Sequence, residues 1–151
     1  MSMKAPNIIP TADEFRTILR RRGLKATRQR ILVHEAMMEL EHASAEMVKA
    51  KLEEKGHKVT SSSIYNILSQ LADSRVYSRR PSMGSKMYFD ASGAKHAHLY
   101  DRENDTFLNV EVPGISEWAA AQIKRRRFRG FSVEDIEIEI IVHPTKKAIK
   151  K

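Results

Sequence analysis

At 151 residues, 41% hydrophobic and 30% charged, the chain is long enough for one core or two small lobes, and it has no apolar run near the ~18 residues that span a bilayer and no signal-peptide core, so a cytoplasmic protein without a membrane partner is expected. It has no cysteine, which excludes disulfides, thiolate nucleophiles, thiol redox switches and every zinc site built on sulfur; a metal must be held by His, Asp, Glu or Asn. The net charge of +8 is uneven, with 16 basic and 9 acidic groups in residues 1–87 but 11 and 10 in residues 88–151, and a basic, largely helical first half suggests a polyanion such as nucleic acid.

Residues 1–10, with two prolines and little periodicity, read as a loose arm. Thr11-Ala12-Asp13-Glu14 is a capping box, in which the hydroxyl and the carboxylate each satisfy a backbone N–H. Phe15, Ile18 and Leu19 follow at helical spacing, and Gly23 is a natural stop. Thr27 caps a second helix to about Leu40, with Ile31, Leu32, Ala36 and Leu40 inward. Ser44 caps a third, with Met47, Val48 and Leu52 inward and Gly56 ending it. Thr60 or Ser61 starts a fourth, whose core stripe is Ile64, Ile67, Leu68 and Leu71. Val76–Arg80 and Lys86–Asp90 flank a Pro/Gly turn at 81–85 and read as a β-hairpin. Helices followed directly by a hairpin give a winged helix-turn-helix.

The second half changes character. Thr106–Val112 is β-rich, and Ile115, Trp118, Ala119, Gln122 and Ile123 mark a helix whose basic end, Lys124–Arg127, suits the negative pole of its dipole. Trp118 on that stripe reads as core. Ile136, Ile138, Ile140 and Val142 form one apolar face of a strand. The fold class is therefore α+β: an N-terminal winged helix-turn-helix followed by a small α/β dimerisation domain. The expected boundaries are 1–87 for the DNA-binding domain, 88–143 for the dimerisation and sensor domain, and 144–151 for a frayed basic tail.

The fourth helix leaves Ser63, Tyr65 and Asn66 outside its apolar stripe. Small hydroxyls allow close approach to a groove, and Tyr and Asn reach bases or phosphates. Arg20, Arg21, Lys25 and Arg28, supported by neighbouring Arg22 and Arg30, supply cations for phosphates or a minor groove. The expected partner is a palindromic double-stranded DNA operator, read by a homodimer. No nucleophile–base constellation appears, so an enzyme is not expected.

The segments Gly23–Arg30, Ser63–Leu68 and Tyr88-Phe89-Asp90 with His96-Ala97-His98 together resemble the ferric uptake regulator (Fur) family, in order and spacing over roughly residues 12–143. The resemblance implies a dimeric, metal-responsive repressor. It places the ligands of the interdomain regulatory site on His42, Asp90, His96 and His98, with Asn109 where an acid is usual. An Asn carbonyl still ligates, with one negative charge fewer. A ligand held by all of them would tie the two halves together and so link occupancy to DNA affinity. Most members carry Cys-x-x-Cys holding a structural zinc; here the corresponding residues are Asp101–Asn104, so that site is absent. A second family site falls on Lys95 and Ala97 and is lost. The missing cysteines, Thr27–Arg30 and Lys86–Asp90 most resemble the iron response regulator (Irr) branch, which implies haem as the signal, held at His96 and His98; Fe2+ or Mn2+ in the same pocket is the runner-up, with Zn2+ binding expected in vitro. Peroxide sensing within the same family, and constitutive DNA binding with a decayed sensor, are the alternatives. His34 and His57 read as surface residues.

Overall fold

The computed structural model describes residues 9–92 and 97–145. They divide into two compact units, with the break between Ser92 and Ala97. The first eight residues, Lys95, His96 and the 146–151 tail lie outside the described residues.

The N-terminal unit opens with four helices: α1 (Ala12–Arg21), α2 (Arg28–Leu40), α3 (Ala45–Glu54) and α4 (Ser61–Asp73). Each starts where a hydroxyl residue accepts a bond from a backbone N–H three positions on: Thr11, Thr27, Ser44 and Thr60. At Thr11 the return bond is also made, from its N–H to Glu14 Oε1 at 2.8 Å. These caps satisfy donors that a helix start leaves orphaned, and each contributes about 1 kcal/mol. Gly23, at φ 73°, turns the chain out of α1 in a conformation that a side chain disfavours.

Helix α3, the turn after it and α4 form the helix-turn-helix. The wing follows as β2 (Ser78–Pro81) and β3 (Met87–Asp90). A two-residue strand, β1 (His42–Ala43), joins it, giving an antiparallel sheet in the order β1-β3-β2. So short a strand carries no period-2 signal, which is why the sequence shows only a residue before a cap at His42. The core is Phe15, Leu19, Val33, Met37, Val48, Leu52, Ile64, Leu68, Leu71 and Phe89, all nearly or fully buried.

Several expectations for this unit need correction. Met47 is exposed; Val48 and Leu52 alone of its trio are buried. On α2, Leu32 and Leu40 are only partly buried, whereas Val33, His34 and Met37 are fully so. His34 is a core residue, not a surface one. Its ring stacks on Phe15 at 3.9 Å with 2° between planes, and both ring nitrogens have partners: Nδ1 lies 2.6 Å from the Tyr77 hydroxyl and Nε2 2.7 Å from the Pro10 carbonyl. Pro10 is thereby pinned, and Ile9 packs on the core, so the arm is not loose at these two positions.

The C-terminal unit contains β4 (Ala97–Asp101), β5 (Thr106–Val110), α5 (Ile115–Lys124) and β6 (Ile138–Val142). Strand β4 is central. It pairs antiparallel with β5 through a tight turn and parallel with β6, which α5 and its following loop bring back. Strand β6 begins two residues later than the alternation predicts. Trp118 is 62% exposed, against expectation, and α5 buries none of its residues. Periodicity identified an apolar stripe, but nothing among the described residues covers it.

Candidate metal centre and nucleic-acid interface

The period of β3 sends Phe89 to the helical core and Tyr88 and Asp90 to the opposite face. Register then sets what stands beside Asp90. His42 faces it across β1–β3, and Ser78 faces it across β2–β3. His42 Nε2 is 3.2 Å from Asp90 Oδ2, with both side chains nearly buried. The other oxygen, Oδ1, accepts from the Ser92 N–H at 2.8 Å. The sequence reading missed a third group, Arg80, which is 9% exposed and whose Nε lies 3.7 Å from the same Oδ2. Arg80 stands opposite Tyr88, so it is a diagonal neighbour of Asp90 on the same face, within reach of a long side chain. The signal was available in the alternation of β2, where Arg79 and Arg80 must point apart: Arg79 bonds Asp73 on α4 at 2.8 Å, and Arg80 turns to the Asp90 face.

In the C-terminal unit, β4 carries His98 directly opposite Asn109 of β5 and Glu139 of β6. His98 is 1% exposed and Asn109 6%. Asn109 Oδ1 has no hydrogen-bond partner among the described residues. A buried amide oxygen without a donor is costly, and a cation would satisfy it. The imidazole and carboxylate of the N-terminal unit, and the imidazole and amide oxygen of this one, are each donor types that suit Fe2+, Mn2+ or Zn2+. Candidate ligand His96 lies outside the described residues. Where the resemblance implies a cysteine pair, Asp101 instead closes the β4–β5 turn, accepting from Asn104 Nδ2 at 2.7 Å and from the N–H groups of Glu103 and Asn104. The Asn104 amide foremost, and then those N–H groups, hold the Asp101 carboxyl below its ordinary value.

The candidate nucleic-acid surface is built on α4. Ile64, Ile67, Leu68 and Leu71 are buried, which leaves Tyr65, 47% exposed, and Asn66 outward. The Tyr65 ring meets Phe89 edge-on, at 6.2 Å between centroids, and this fixes its base while its hydroxyl end stays exposed. Ser63 is half-buried, and its hydroxyl accepts from Thr60 Oγ1 at 2.9 Å. Arg20, Arg21, Lys25 and Arg28 are exposed. Arg22 and Arg30, placed with them on sequence grounds, serve instead as braces. Arg30 donates to the Lys25 carbonyl at 2.7 Å and to Gln70 Oε1 at 2.6 Å, tying the turn before α2 to α4. Arg22 donates to the Ser74 carbonyl.

Comparison with known proteins agrees with this architecture. The model of the "Ferric uptake regulator family" matches residues 21–141. The ferric uptake regulation protein of Pseudomonas putida is 28% identical over 136 residues, covering 85% of this chain and 96% of that protein. That of Escherichia coli K12 is 29% identical over 113 residues, covering 74% and 72%. Among solved structures, the ferric uptake regulator from Pseudomonas aeruginosa with manganese superposes with a TM-score of 0.67 at 26% identity, over 86% of this chain and 97% of that one. The Vibrio cholerae ferric uptake regulator shares the fold, with a TM-score of 0.70 at 20% identity, over 86% and 99%. Regulators of this family bind DNA and act as dimers, and they are not enzymes. The chain belongs to the ferric uptake regulator family of metal-responsive, DNA-binding transcription regulators.

Proposed function

We propose that the protein is a cytoplasmic, homodimeric repressor of iron-homeostasis genes that reads a palindromic operator through α4 and responds to Fe2+ or Mn2+. The observation that carries the metal reading is the pairing of candidate ligands by strand register: His42 with Asp90, and His98 with Asn109, all four buried. We take these four, with His96, as the ligand set that the sequence resemblance implies. The relatives named for ferric uptake and the related structure with manganese support the choice of ion. The absence of cysteine, Thr27–Arg30 and Lys86–Asp90 support placement in the iron-response branch. Haem held at His96 and His98, which the same branch resemblance implies, is the alternative signal.

The test is operator affinity by fluorescence anisotropy, with and without Mn2+, at several salt concentrations. Tyr65→Ala should weaken specific binding by about 1–3 kcal/mol, and Arg21→Ala should weaken all binding and flatten the salt slope. His42→Ala with His98→Ala should keep metal-free DNA binding but lose the Mn2+ response. Parent-like behaviour in all of these variants would overturn the reading. A haem absorption band lost in the same double variant, with the Mn2+ response kept, would make haem the ligand.

Residues 106–143 are proposed to build the dimer. Trp118, Val112, Phe128 and Phe131 are exposed apolar groups in one chain, and a helix with no buried side chain calls for a cover. Trp118→Arg should therefore shift the mass measured by light scattering at micromolar concentration from dimer towards monomer. A dimeric mass unchanged in this variant would place the interface elsewhere.

A further inference from the structure

We infer that Arg80 is a resident cation at the candidate metal centre and sets the metal threshold of this chain. The inference rests on the metal reading above and adds a residue to it. Asp90 Oδ2 is approached by two groups, His42 Nε2 at 3.2 Å and Arg80 Nε at 3.7 Å. All three side chains lie on one face of the β1-β3-β2 sheet and are nearly buried. A guanidinium keeps its charge at every pH the fold survives, and burial weakens the screening that would hide it from a neighbouring ion.

Charge count then decides the effect. Asp90 and Arg80 cancel each other before any ion arrives. A divalent ion that takes Asp90 Oδ2 therefore meets a carboxylate already shared with a fixed positive charge. Binding must displace the guanidinium or bear its repulsion, and either route lowers affinity. Arg80 holds Asp90 in place while no ion is bound, so the N-terminal unit keeps this sheet ordered without metal and yields the carboxylate only at higher metal concentration. Arg80 is a positioning residue, not a ligand.

The test is Mn2+ binding to the full chain by calorimetry, together with the Mn2+-dependent rise in Tm. Arg80→Gln and Arg80→Met remove the charge; the second keeps an apolar stem of similar reach. Both should bind Mn2+ about tenfold or more tightly than the parent, with a larger rise in Tm. Arg80→Lys, which keeps the charge, should stay close to the parent. If Asp90→Asn abolishes binding and the Gln and Met variants bind no tighter than the parent, the Arg80 inference falls and the metal reading stands. If Asp90→Asn binds like the parent, or the parent binds no Mn2+, both fall.

Discussion

Asp90→Ala should destabilise the N-terminal unit by about 3–5 kcal/mol, the usual cost of removing one partner from a buried ion pair. Three losses coincide. The Arg80 guanidinium, 10% exposed in its side chain, loses the carboxylate 3.7 Å away. His42 loses its neighbour at 3.2 Å. The Ser92 N–H loses its acceptor. Asp90→Asn keeps an oxygen for Ser92 and should cost less. Urea denaturation followed by circular dichroism, in a metal-free buffer at constant pH, measures both. A loss below about 1 kcal/mol for Asp90→Ala would mean that the pair is solvated and that Arg80 does not depend on it.

The second large effect is acid destabilisation through His34. The Pro10 carbonyl only accepts, so Nε2 carries the hydrogen and Nδ1 accepts from the Tyr77 hydroxyl. That arrangement holds for the neutral ring, which burial favours in the folded chain. Burial lowers its pKa, outweighing the opposing pull of the Pro10 bond. Unfolding releases an ordinary histidine, which takes up a proton below about pH 6.5. The unfolded state binds more protons in that window, so stability is full above about pH 6.5 and falls as pH drops towards the folded pKa, by up to about 1.4 kcal/mol per pH unit. Urea midpoints at pH 7.5 and 5.5 should differ in the parent. His34→Leu should lie lower at pH 7.5 and show a smaller difference between the two. Phe15→Ala, which removes the stacked partner from a fully buried site, should cost about 3–5 kcal/mol at either pH. Equal pH dependence in the parent and His34→Leu would refute the assigned protonation.

What the sequence made legible divides along physical lines. Helix starts were readable because a cap is a bond between residues three apart: Thr11, Thr27, Ser44 and Thr60 all cap as expected. The stripe of α4 was readable because four apolar residues recur at helical spacing. His34 and Trp118 were misread because burial at a single helical position depends on what packs there. Phe15 and Tyr77, 19 and 43 residues from His34, make its site, and nothing among the described residues covers Trp118. The candidate ligands His42, Asp90, His98 and Asn109 were reached by resemblance, not by pattern; only register shows that they face each other in pairs. Arg80 escaped because a lone arginine in a wing reads as one more surface cation, and its burial follows from a two-residue strand too short to recognise.

The bare flank of α5 has a consequence for how the protein is made. A ten-residue helix is marginal in water, and most helical stability comes from packing an apolar side; α5 buries no side chain of its own. Its last turn and the loop after it also crowd Lys124, Arg125, Arg126, Arg127 and Arg129 together, which adds self-repulsion. Under the dimer proposed above, completion of the C-terminal unit is a second-order event, in which two nascent chains finish one another. Freshly synthesised copies at low abundance would linger with this segment unmade and open to proteases, and the midpoint of its melting would climb with dilution reversed, chain concentration acting as a stabilising ligand.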